Sequence, residues 1–63
     1  MMTYNDLWLV AYQFAMYHQF AMHRAEQFAA DYARYYEGTI ERDVPTPGSF
    51  EVVQISLDFH YHG

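Results

Sequence analysis

Residues 3–38 read TYNDLWLVAYQFAMYHQFAMHRAEQFAADYARYYEG, and the fold turns on how this stretch is interpreted. Between Asp6 and Gly38 it contains no Gly, Pro, Ser, Thr or Asn, the residues that end helices or open turns. Between Ala11 and Gly38 it also contains no Val, Ile or Thr. Branched side chains lose rotamer freedom in a helix and pack well on a sheet, so their absence favours helix. The start is marked: Thr3 is placed to cap the amide of Asp6, and Met2 and Leu7 occupy the two positions of a hydrophobic staple. The end is marked as well. Arg34 lies in the last turns, and Gly38 suits the left-handed position just beyond. The sequence therefore predicts one long helix over about 4–37, roughly 50 Å from end to end at 1.5 Å per residue.

A competing pattern lies inside the first half. Trp8, Val10, Tyr12, Phe14 and Met16 alternate with Leu7, Leu9, Ala11, Gln13 and Ala15. Read as period two, this makes an initial strand at about 7–16 and a β-α-β-β order. That reading leaves a strand-to-helix junction near His18 with no cap or turn residue, so the continuous helix is preferred.

Beyond Gly38 the composition changes. Seven β-branched residues fall between Thr39 and Ile55: Thr39, Ile40, Val44, Thr46, Val52, Val53 and Ile55. Pro47-Gly48 suits the centre of a type II turn. Val53, Ile55, Leu57, Phe59 and Tyr61 alternate with polar neighbours in the manner of a two-faced strand. The expected fold class is α+β: the helix, then a β-hairpin at about 39–44 and 50–61, in a single domain over 1–63.

On a helical wheel Leu7, Val10, Phe14, Ala21, Ala25, Phe28 and Tyr32 form one stripe, flanked by Tyr17, Tyr35 and Tyr36. This stripe is expected to cover the hairpin. Trp8, Tyr12, Met16 and Phe20 form a second ridge at i, i+4 spacing, with Leu9 beside it. One hairpin cannot surround a helix that is apolar all round, so the ridge is expected to bind protein. A second copy is one expected partner, which would make the chain a homodimer. Trp, Tyr, Phe and Met are also the residue types enriched at interfaces. A chain of 63 residues buries only about 60% of its unfolded surface and is marginal alone.

The 63 residues include eight acids, three arginines and no lysine, for a net charge of −5. Direct nucleic-acid binding needs the opposite sign. The chain has no cysteine, which excludes disulfide scaffolds, thiolate metal sites and cysteine nucleophiles and fits a reducing, cytoplasmic setting. No basic leader with a small-residue cleavage site is visible. Leu7 to His23 lacks Asp, Glu, Lys and Arg, but Gln13, His18, Gln19 and His23 interrupt it, so no membrane span is expected.

Chemistry-bearing patterns are weak. Asp58, His60 and His62 share one face of the last predicted strand and are a possible zinc or iron ligand set without an evident fourth member. Ser56, Asp58 and His60 project in parallel along that strand and cannot converge as a triad. No cofactor and no enzymatic activity are expected. Glu37, Glu41, Asp43, Glu51 and Asp58 gather near the predicted hairpin as a candidate phosphate-mimicking surface. Size, charge and aromatic content together suit a non-enzymatic protein-binding module. The type suggested by analogy is a small phage or mobile-element inhibitor of a host protein, as anti-CRISPR proteins are, acting by surface occlusion. The alternatives are an acidic mimic that fills a nucleic-acid channel and a structural small subunit of a larger assembly.

Overall fold

A computed structural model of the chain describes residues 1–52. Helix α1 spans Tyr4–Tyr17 and helix α2 spans Met22–Tyr36. A 3-10 turn covers Glu41–Asp43, and residues 47–52, the last described, form helix α3. No strand occurs among the described residues. The α+β expectation is thus replaced by an all-helical arrangement, and the initial strand at 7–16 by the body of α1.

The start of α1 is as its sequence predicts. Thr3 is extended, and its Oγ1 accepts a hydrogen bond from the Asp6 amide at 3.2 Å. Leu7 is fully buried, and Met2 packs against the core. The end of α1 overturns the single rod. The helix stops at Tyr17, His18 is the C-cap, and Gln19 takes φ 64°. The Phe20 amide reaches back to the Ala15 carbonyl at 2.9 Å, and the Gln19 amide reaches the Met16 carbonyl at 3.1 Å. These two bonds define a Schellman motif, with Gln19 where glycine is usual.

The reason for the reversal is tertiary. Leu7, Ala11 and Ala15 recur every four residues on α1, and Ala25, Ala29 and Ala33 do so on α2. All six are fully buried. A straight helix would leave both stripes in water. Folding α2 back on α1 zips them together, and alanine allows the backbones to approach closely. Left-handed backbone at a non-glycine residue costs about 1–2 kcal/mol. Burying Phe28 alone offsets that, at about 1.5–3 kcal/mol for a large side chain.

The second half of the chain corrects the hairpin. Pro47 stands at the first position of α3 rather than in a type II turn, where its fixed φ and missing N–H are tolerated. Thr46 precedes it as the cap: the Ser49 amide donates to its Oγ1 at 3.4 Å, the Ser49 and Thr46 hydroxyls are 3.1 Å apart, and the Phe50 amide reaches its carbonyl at 3.1 Å. The segment predicted as strand 39–44 contains the 3-10 turn instead. Of the predicted strand 50–61, residues 50–52 are helical, and the rest lies outside the described residues.

α3 lies against both long helices. Gly48 sits beside Phe14 of α1, where a Cβ would stand 3.5 Å from the ring. Phe50 is buried among aromatic rings of α2, at centroid distances of 5.8 Å to Phe28, 5.5 Å to Tyr32, 5.8 Å to Tyr35 and 5.6 Å to Tyr36. The Tyr32 hydroxyl donates to the Pro45 carbonyl at 2.6 Å and ties the approach to α3 down onto α2. Gly38, at φ 82°, turns the chain out of α2, and its amide donates to the Met2 carbonyl. The Met2 amide in turn donates to the Thr39 carbonyl, so the N-terminus is pinned to the exit of α2.

Candidate protein-binding face

α1 carries one charged side chain, Asp6, in its first turn. At 100° per residue its circumference divides into three. The Leu7/Ala11/Ala15 edge meets α2. Phe14, on one flank, meets α3 at Gly48. The other flank bears Trp8, Tyr12 and Met16, with Leu9 next to it. Trp8 and Tyr12 stack with ring centroids 4.7 Å apart and planes 12° apart. Both are half-buried and rest on the core, while Met16 is 43% exposed and Leu9 52% exposed. The result is an uncharged strip with a rigid aromatic base and two flexible apolar side chains beside it.

Three of the four ridge residues predicted to bind a partner thus share this strip. Phe20 is elsewhere. It belongs to the connection between α1 and α2, where its ring meets Phe28 edge-on at 5.4 Å and carries the Arg24 guanidinium 5.2 Å above it. It is half-buried and serves the fold's own packing. The i, i+4 spacing places Trp8, Tyr12 and Met16 on one face of α1. It carried one step too far because the helix ends between Met16 and Phe20.

The candidate acidic surface has no hairpin to sit on. Glu37 caps α2 and is exposed. Glu41 and Asp43 are exposed in the 3-10 turn, with Arg42 between them. Glu51 is half-buried in α3, and Asp58 lies outside the described residues. Asp31 and Arg34 pair at 2.5 Å on α2, as their spacing suggests. His60 and His62, with Asp58, are also outside the described residues. Among the described residues no group of three or more His, Asp or Glu side chains is placed to hold a metal ion.

The aromatic cluster around Phe50 was legible only in part. Tyr32, Tyr35 and Tyr36 do meet the segment that follows α2, but they meet a helix rather than a strand. The missed signal is Thr46-Pro47, a cap followed by a first-turn proline. Burial raises the pKa of the Tyr32 hydroxyl above its ordinary value, with the neighbouring Tyr36 adding to the effect. Burial raises that of Tyr36 too, with a further contribution from Tyr35. Among the described residues no helix is long and apolar enough to cross a membrane. No family model, curated protein or solved structure matches the chain.

Proposed function

We propose that the chain is a non-enzymatic protein-binding module of the cytoplasm. In this reading it is a small inhibitor of the phage or mobile-element type that masks part of a host protein. The observation that supports this is the strip on α1, where the stacked Trp8–Tyr12 pair lies beside exposed Leu9 and Met16 without a charge among them. Aromatic and methionine side chains on a preformed helix suit protein contact, because little ordering entropy remains to be lost on binding. The test is capture from lysate of the native host by the full chain, comparing the wild type with Leu9→Glu and Met16→Glu. A partner held through the strip is lost by at least tenfold in both variants and retained by Glu41→Gln/Asp43→Asn. The converse pattern, retention by the strip variants and loss by the amide variant, rejects occlusion through α1 in favour of the acidic-mimic reading.

A further inference from the structure

From the same strip we infer that its partner includes a second copy of this chain, packed α1 against α1 in antiparallel fashion about a two-fold axis at Tyr12. The inference rests on the strip being a protein-binding face. Three observations carry it. The first is charge. Each copy bears −5, so most pairings of two copies set carboxylates against carboxylates. The described acids lie on α2 (Glu26, Asp31), at its cap (Glu37), in the 3-10 turn (Glu41, Asp43), on α3 (Glu51) and in the first turn of α1 (Asp6). From Leu7 to Tyr17 α1 has none, so two copies can meet there without that penalty.

The second observation is register. A parallel pairing would bring Asp6 against its own counterpart. An antiparallel pairing centred on Tyr12 displaces the two Asp6 side chains by twelve residues along the axis, about 18 Å at 1.5 Å per residue. That exceeds the Debye length of about 8 Å at physiological salt, so their repulsion is screened. The same register sets Trp8 of each copy near Met16 of the other, an aromatic base against a flexible thioether. Trp8, Tyr12 and Met16 form an i±4 ridge, and two such ridges interdigitate in the commonest class of helix pair.

The third observation is the make-up of the core that the described residues form, together with the length of the chain. Among the described residues five of the nine buried core residues are alanine, and the large ones are Leu7, Phe28, Tyr32 and Phe50. A chain of 63 residues without cysteine has no disulfide to staple it, and oligomerisation is an ordinary supplement at this length. Two helical hairpins joined through α1 would bury Trp8 and Tyr12 between them, the two α1 helices crossing at about 50°. A host target that uses the strip then competes with the second copy.

Sedimentation equilibrium on the full chain over the micromolar range tests this. The expected mass is twice the 7.5 kDa of one chain. Met16→Glu and Leu9→Glu are expected to retain wild-type helical circular dichroism, both positions being exposed, and to weaken dimerisation at least tenfold. Tyr17→Glu, on the other flank and 84% exposed, is expected to remain dimeric. Because the chain has no cysteine, single cysteines report the register. Tyr12→Cys is expected to form an intermolecular disulfide on oxidation, and Asn5→Cys is not. A monomer throughout the concentration range overturns the dimer while leaving the host-capture result to judge the strip. Dissociation by Tyr17→Glu alone overturns the choice of face, and cross-linking by Asn5→Cys overturns the antiparallel register.

Discussion

Gln19 and Tyr32 show how much single residues decide in this fold. Gln19 holds φ 64° to complete the Schellman turn that reverses the chain. Glycine adopts this conformation without the Cβ penalty, at the expense of greater freedom when unfolded. Gln19→Gly is therefore expected to stabilise the chain by about 0.5–1 kcal/mol, and Gln19→Val to destabilise it by at least as much. Urea denaturation checks both. A glycine variant less stable than wild type would mean that the left-handed turn is not what limits the hairpin. Tyr32→Phe keeps the ring and removes the bond to the Pro45 carbonyl, for an expected loss of about 0.5–1.5 kcal/mol. The same hydroxyl contributes to behaviour in alkali, alongside that of Tyr36. Its pKa is raised in the folded chain, so the unfolded chain ionises first, near the ordinary tyrosine value of about 10. The contribution of the neutral phenol is complete below that pH and is lost as pH rises toward the folded value. Urea midpoints measured between neutral pH and strong alkali should fall less steeply for Tyr32→Phe than for wild type.

At the scale of elements, two patterns shape the hairpin. The alanine seam sets how closely α1 and α2 approach. Ala29 is fully buried in it. Ala29→Leu adds three carbons where there is no room, and the expected cost is about 1–3 kcal/mol from overpacking. A leucine tolerated there without loss would mean that the helices are not held close by their small residues. The caps set where elements begin. Thr3 was readable as a cap because its partner Asp6 is three residues away and an apolar run follows. Thr46 is equally readable, but Pro47-Gly48 suits a type II turn as well. Both motifs place proline after a polar residue, and only the packing of Phe50 under α2 separates them. The five β-branched residues from Thr39 to Val52 point to strand for a related reason. Their preference for strands is a preference for packing on a pleated, half-buried surface. Among the described residues they were offered no sheet to pack on.

For the molecule as a whole, Phe50 joins α3 to the core that the described residues form. Phe50→Ala is expected to cost about 3–5 kcal/mol, the usual range for emptying a buried aromatic site. A domain of this length has a total stability of about 3–9 kcal/mol at 0.05–0.15 kcal/mol per residue. The variant should therefore be largely unfolded, or should retain α1 and α2 with α3 detached. Hydrogen exchange separates the two outcomes, because the second leaves the Ala25–Ala33 amides protected. Wild-type exchange rates throughout would show that α3 adds nothing to the hairpin. The candidate face follows from the same economy. α3 fills the groove on the Phe14 flank, and the Trp8–Tyr12 flank remains half-covered because no described segment reaches across it.

Local and periodic properties were legible in the amino-acid sequence. They include the helical character of residues 4–17 and 22–36, the Thr3 start, the Gly38 exit and the uncharged apolar ridge of Trp8, Tyr12 and Met16. Each depends on residues within a turn or two of one another, so composition and spacing suffice. The reversal at Gln19, the helical course of 47–52 and the diversion of Phe20 into the core were decided by tertiary structure. Each trades a small local cost for burial against a segment distant in sequence. No local breaker marks Gln19 because the driving force comes from two alanine stripes that meet only after the chain has folded back.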